Sequence, residues 1–200
     1  MFVRTESFRQ FISLYPVITA LVAIHIVIFL SMHLPMLPHQ LVFETLAGTN
    51  ILILMGEYWR LVTPIFVHVG FAHLLFNSFS LVLFGPALER ALGKFQFLLV
   101  YIICGVAANV ATLIIKPPYY THIGASGAIF GLFGIYLAVI FFKKEAMPQH
   151  GKQVILPIAA LSVIMTFFQS NINITGHIFG LIAGILVGIV LIRTRTIRFY

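Results

Sequence analysis

Long apolar runs separated by short polar segments make up most of this chain. A helix needs about 20 predominantly apolar residues to cross about 30 Å of hydrocarbon. Six stretches meet or nearly meet that length, the fifth being the shortest: residues 17–34, 64–83, 95–115, 125–142, 154–168 and 174–192. The pattern predicts an all-α polytopic membrane protein with six transmembrane helices, in which residues 1–200 form a single membrane domain.

The connection between the first two predicted spans, residues 35–63, is much longer than the others. It is too apolar for a solvated loop, as the run at 51–54 shows. A connector of this length without structure of its own is uncommon. We therefore expect short helices that lie in the outer membrane interface or dip into it.

The composition excludes several other classes of protein. Apolar residues make up 60% of the chain and charged residues 8%, with a mean hydropathy of +1.07. A soluble domain carries about 25% charged residues. A soluble globule, a disordered chain and a nucleic-acid module are therefore excluded. Cys104 is the only cysteine, so no intramolecular disulfide can form.

The basic residues predict the orientation of the spans. Ten of the twelve fall on the side that six spans would give to both termini: Arg4, Arg9, Arg90, Lys94, Lys143, Lys144, Lys152, Arg193, Arg195 and Arg198. Arg60 and Lys116 fall on the other side. Cytoplasmic loops carry the excess of Lys and Arg, so we expect both termini in the cytoplasm. The net charge of +7 then reflects topology and contact with anionic lipid, and needs no nucleic-acid partner.

Five polar residues fall in the outer halves of three predicted spans that run in the same direction. They are His68, His73 and Asn77 in the second span, Ser126 in the fourth and His177 in the sixth. Polar side chains at membrane depth are costly and indicate function by default. Taken singly, each of these residues has an ordinary structural explanation. A serine in a helix, for example, usually bonds back to a carbonyl of its own helix. Their shared depth favours a common site.

Other histidines need no chemical role. A histidine near a helix end commonly anchors at the headgroups, and this explanation suffices for His25, His33, His39, His122 and His150.

Glycines predict which helices meet. Span four carries Gly127, Gly131 and Gly134, and span six carries glycines at four-residue spacing: Gly176, Gly180, Gly184 and Gly188. Small residues at such spacing let helix backbones approach closely. We therefore expect spans four and six to touch, which brings Ser126 within reach of His177. A serine hydroxyl is a weak nucleophile that needs such a base within hydrogen-bond distance.

Four motifs in this order resemble those of the rhomboid intramembrane serine proteases. They are Trp59-Arg60, His68-x4-His73-x3-Asn77, Gly124-x-Ser126-Gly127 and Gly176-His177-x2-Gly180-x3-Gly184. The resemblance covers the chain from about Gly56 to Gly188 and implies the family's six-helix core. It also implies a multi-pass protein of the bacterial plasma membrane. The substrates that the resemblance implies are single-span membrane proteins, cut near the outer face at small residues. The resemblance implies no cofactor, no metal and no obligate protein partner.

The resemblance also implies roles for individual residues. Ser126 would be the nucleophile, His177 the base, and His73 and Asn77 would help to form the oxyanion hole. Gly124 and Gly127 flank the serine and support it. One position departs from the family, which often has a tyrosine one turn after the serine where this chain has Phe130. Phe130 can stack on His177 but has no hydroxyl.

A catalytic triad would need an acid, and the chain contains no aspartate. The remaining candidates on the outer side are Glu44 and Glu57, both in the long loop. We expect a dyad instead, with the imidazole oriented by packing against Phe130. His68 lies five residues before His73, which on a helix would turn it about 140° away, so we expect it to be structural or to hold water.

Three other functions compete. A transporter would usually show inverted repeats or ionisable groups near the midplane, and the spans carry neither a repeat nor a carboxylate. A metal site could use His68, His73 and His177, but no His-Glu-x-x-His motif is present. A catalytically inactive relative would typically lack the serine or the histidine, and both are present.

Overall fold

The structure is a computed structural model that describes residues 5–34, 39–168, 172–194 and 196–197. Its helices are α1 (Phe8–Leu14), α2 (Pro16–His33), α3 (His39–Leu46), α4 (Asn50–Leu54), α5 (Phe71–Leu92), α6 (Lys94–Ile115), α7 (Ser126–Phe142), α8 (Gln149–Thr166) and α9 (Ile174–Arg193). Short 3-10 turns lie at Tyr58–Leu61, Thr63–Phe66 and Lys144–Ala146. Two short strands, β1 (Gly48–Thr49) and β2 (Thr121–His122), pair antiparallel.

Within the described residues, four helices are long and apolar enough to cross a membrane: α2, α5, α6 and α9. Helix α7 is apolar but has 17 residues. Helix α8 has 18 residues, but its first turn is polar (Gln149, His150, Lys152). The chain is therefore a mainly helical membrane protein, and the exact number of spans stays a prediction.

Two predicted spans differ from the helices observed. The second was expected at residues 64–83, whereas α5 runs from Phe71 to Leu92. Residues 63–66 form a 3-10 turn, and the chain is extended at Val67 and Gly70 before α5 begins. The fifth was expected at 154–168, whereas α8 begins five residues earlier and ends at Thr166. Hydropathy reports burial in lipid, whereas backbone hydrogen bonds decide where a helix begins.

The loop between α2 and α5 contains the short helices α3 and α4 and is organised around one buried cation. Arg60 is 5% exposed. Its Nε lies 2.6 Å from Glu57 Oε2, and its Nη1 donates to the carbonyls of Glu44 (2.6 Å) and Ala47 (2.7 Å). One guanidinium thereby joins three points of the loop, and a charged donor bonds more strongly than a neutral one.

A buried carboxylate joins α5 to the start of α2. Glu89 is 3% exposed, and its two oxygens accept from the backbone N–H groups of Val17 (3.0 Å) and Ile18 (3.1 Å). The first N–H groups of a helix have no partner within it, and the helix dipole favours an anion there. Glu89 thus caps α2 from a neighbouring helix.

Helix α7 lies at the centre of the bundle and contacts α9 backbone to backbone. A Cβ at Gly180 would overlap the backbone of Gly127, and one at Gly184 would overlap that of Gly131. On another face, a Cβ at Gly131 would overlap Cys104 of α6. The predicted contact between spans four and six is therefore present.

We expect Gly184→Val to destabilise the folded protein. The new side chain would occupy the space of the Gly131 backbone, and overpacking of a close interface costs about 1–3 kcal/mol. The measurement is the unfolding midpoint in a denaturing-detergent titration of the purified protein. Leu186→Val is the matched control, because Leu186 lies on the same helix and is 60% exposed. Equal midpoints for the two variants would contradict the contact.

Candidate active site

Ser126 is the first residue of α7 and follows a tight turn. Gly124 has φ +108°, a conformation that side chains other than glycine's rarely adopt. The His73 ring lies against this turn, since a Cβ at Gly124 would be 2.5 Å from His73 Nε2. The structure therefore brings His73 beside the backbone that leads into the serine.

His177 sits in the first turn of α9, which is fixed by Asn173. The Oδ1 of Asn173 accepts from Gly176 N (3.0 Å), and its Nδ2 donates to Thr112 Oγ1 on α6 (2.8 Å). An asparagine is a favoured N-cap because it satisfies a free N–H of the first turn. The end of α9 that carries His177 is thereby tied to α6.

The rings of His177 and Phe130 stack, as the resemblance implied. Their centroids are 4.2 Å apart and their planes differ by 17°. Phe130 lies one helical turn after Ser126, so the imidazole lies beside the first turn of α7. Within the described residues no hydrogen bond joins Ser126 to His177. Such bonds are often long in substrate-free enzymes and tighten when substrate binds.

The Nδ1 of His177 has a partner that the sequence did not predict. It lies 2.9 Å from Oγ1 of Thr166, the last residue of α8. The two acidic candidates lie elsewhere: Glu57 pairs with Arg60, and Glu44 accepts from Gln40. A single threonine near a helix end is too common a feature to be singled out. Its place at the end of the fifth predicted span, shortly before the start of the sixth, was the available signal.

Asn77 lies one turn after His73 on α5 and is 7% exposed. Its Nδ2 donates to the His73 carbonyl (3.0 Å), a bond within its own helix. An amide nitrogen has two N–H groups, so one donor remains available to a ligand.

The structure corrects the placement of His68 and His25. His68 precedes α5, so helix geometry does not apply, and its ring lies 4.9 Å from that of His73 instead of facing away. Its Nε2 accepts from Ala125 N (3.4 Å), directly before the serine. His25 was expected at the headgroups, yet it is fully buried and its ring lies 4.7 Å from that of His68. The rings of His25, His68 and His73 form a row next to the turn at residues 124–126.

His122 was also expected at the headgroups and is instead buried in β2. A Cβ at Gly48 would be 2.5 Å from its Nε2, so the ring fills the space beside β1. Burial lowers the pKa of His122 to about 4, and the ring is neutral at pH 7. This neutral ring packs the long loop against the segment that leads to Ser126.

Within the part of the chain that the structure describes, no group of three or more His, Cys, Asp or Glu side chains is arranged to hold a metal ion.

Fold and site together define an integral membrane protein in which polar side chains converge where α5, α7 and α9 begin. The profile of the Rhomboid domain matches residues 55–194. The chain belongs to the rhomboid family.

Individual relatives support the family assignment. The chain is 47% identical over 201 residues to YdcA of Bacillus subtilis, covering all of both chains; that protein is itself provisionally named a rhomboid protease. It is 41% identical over 138 residues to the rhomboid protease GluP of the same species, covering 69% of this chain and 27% of GluP. It is 33% identical over 154 residues to rhomboid-like protease 2 of Toxoplasma gondii, covering 76% of this chain and 54% of that relative.

We expect Gly124→Ala to inactivate the site. The methyl group would enter the His73 ring, and a displacement of about 1 Å can cost about 100-fold in rate. The measurement is the rate at which a fluorophosphonate probe labels Ser126. Gly56→Ala is the matched control, because Gly56 has φ +106° but nothing within 4 Å of the new methyl group. Both positions have a similar positive φ, so equal labelling rates would rule out the contact with His73.

Proposed function

We propose that this protein is an intramembrane serine endopeptidase in which Ser126 and His177 form the catalytic dyad. The stack of His177 on Phe130, one turn after Ser126, carries the proposal. The backbone contact between Gly127 and Gly180 supports it, because it fixes α9 against the same turn of α7. Relatives that share the family are named proteases.

In the proposed reaction, Ser126 Oγ attacks the carbonyl carbon of a peptide bond while His177 takes the hydroxyl proton. The tetrahedral intermediate collapses, the C–N bond breaks, and His177 returns the proton to the leaving amine. Water then attacks the acyl ester as His177 accepts one of its protons. The C–O bond to Ser126 breaks, and His177 returns that proton to Ser126 Oγ. The products are a new carboxyl terminus and free Ser126.

The intermediate carries a negative oxygen that needs donors. We assign this role to the backbone N–H of Ser126, the free N–H of Asn77 and the His73 ring. The N-terminal end of α7 contributes a positive partial charge at the same place. Each such donor is typically worth about 3 kcal/mol in the transition state.

The substrates we propose are single-span membrane proteins. The site lies at the ends of α5, α7 and α9 that the basic residues assign to the outer face, with both termini in the cytoplasm of a bacterial cell. A peptide bond inside an intact helix is shielded by its own hydrogen bonds. The scissile region must therefore unwind, which favours substrate helices that fray easily. Small residues at the cut are what the family resemblance implies.

Ser126→Ala should abolish cleavage of a model single-span substrate in liposomes. The substitution removes the nucleophile, and the measurement is the appearance of the two fragments on a gel. Ser31→Ala is the control, since Ser31 bonds within its own helix (2.7 Å to Ile28 O) and should leave cleavage unchanged. Cleavage by Ser126→Ala at the wild-type rate would remove the protease assignment.

Asn77→Ala should lower kcat by about 100-fold with little change in KM, because the oxyanion exists only after attack. Steady-state kinetics on the same substrate measure both constants. Asn109→Ala is matched in burial, at 7% exposure, and removes a bond to the Leu61 carbonyl on the loop side. We expect that control to affect stability more than kcat. A change in KM alone for Asn77→Ala would show that the amide contacts substrate and not the oxyanion.

A further inference from the structure

We propose that Thr166 is a positioning residue that holds the His177 imidazole in the tautomer a general base requires. The inference rests on the proposed function and deepens it, because it supplies the third group that orients the dyad. Thr166 is 1% exposed and His177 is 8% exposed, so water does not compete freely for their hydrogen bonds.

The geometry places Thr166 Oγ1 between two partners. It lies 2.8 Å from the carbonyl oxygen of Ser162, one turn earlier in α8, and 2.9 Å from His177 Nδ1 on α9. Both distances are those of good hydrogen bonds. The hydroxyl therefore joins its own helix to the ring.

A count of protons assigns the direction of each bond. A hydroxyl has one proton, and a backbone carbonyl can only accept. If Thr166 donates to Ser162, its oxygen accepts from His177, so Nδ1 must carry the ring proton. In the reverse arrangement the hydroxyl donates to Nδ1, and its lone pairs face the Ser162 carbonyl at 2.8 Å. The first arrangement satisfies both contacts, whereas the second satisfies one and sets two acceptors against each other.

The assigned tautomer has a direct consequence for catalysis. With the proton on Nδ1, the lone pair of Nε2 is the ring's acceptor and can receive the proton of Ser126. The stack on Phe130 fixes the plane of the ring, and the bond to Thr166 fixes its rotation within that plane. Together they fix the tautomer and the orientation of the ring, which are two of the tasks that a buried carboxylate performs in a triad. A hydroxyl costs far less to place at membrane depth than a carboxylate does.

The first test compares Thr166→Val, which keeps the shape and removes the hydroxyl, with Thr166→Ser, which keeps the hydroxyl. We expect Thr166→Val to lower kcat about tenfold with KM little changed, and Thr166→Ser to restore most of the loss. Thr19→Val is the matched control, because Thr19 bonds back to Tyr15 O (2.9 Å) within α2 in the same way, far from His177. A loss in Thr166→Val that Thr166→Ser does not restore would overturn the proposal.

The second test reads the tautomer itself and does not depend on activity. Nitrogen-15 NMR of labelled histidine distinguishes a protonated ring nitrogen from an unprotonated one, and a His177→Gln variant assigns the signal. In the Ser126→Ala background we expect His177 to carry its proton on Nδ1, and the Thr166→Val change to shift the population toward Nε2. Finding the Nε2 tautomer with Thr166 intact would overturn the proposal, even if Thr166→Val proved too unstable for kinetics.

The two proposals fail in different ways. If Ser126→Ala still cleaves, the protease assignment fails, whereas the tautomer measurement keeps its meaning. If Ser126→Ala is inactive but Thr166→Val has wild-type kcat and an unchanged tautomer, only the positioning role of Thr166 fails.

Discussion

The backbone contact between α7 and α9 is the constraint on which the rest of the site depends. Lipid tails are as apolar as leucine, so helices in a membrane are held by close packing and hydrogen bonds more than by the hydrophobic effect. At Gly180 and Gly184 even one added carbon would overlap the backbone of α7. This close contact sets the position of His177 along the axis of α7 and allows its ring to reach Phe130.

Uncharged hydrogen bonds, together with the glycine contacts, hold the start of α9 and the His177 ring in position. Asn173 ties the start of α9 to Thr112 on α6, and Thr166 ties the end of α8 to the His177 ring. Each bond satisfies groups that would be costly to leave unpaired in hydrocarbon. Among the residues that the structure describes, the ion pair of Glu57 with Arg60 lies in the loop, and Glu89 serves as a helix cap. The described partners of the His177 ring are therefore uncharged: Phe130 and Thr166.

The long loop between α2 and α5 is connected to the turn before Ser126 by a few successive contacts. Arg60 organises the loop, β1 pairs with β2, and the buried ring of His122 fills the space beside Gly48. Two residues after β2 the backbone turns at Gly124, where the His73 ring lies against it, while His68 accepts from Ala125 N. The turn that presents Ser126 is therefore supported both from the loop and from the start of α5.

The sequence by itself determined the class of protein, most of the helices and the polar residues that converge. Apolar runs report membrane depth directly, and the glycine spacing indicated which helices meet. The stack of Phe130 on His177 was implied by the resemblance to the family and is present in the structure. Helix ends were less predictable, as α5 shows by beginning at Phe71, because they depend on which backbone groups find partners. Only the tertiary structure decided that His25 and His122 are buried, and that a threonine of α8 reaches the Nδ1 of His177. Those contacts join side chains to residues of other helices, strands or loops, and no local pattern in the sequence specifies a partner contributed by another element.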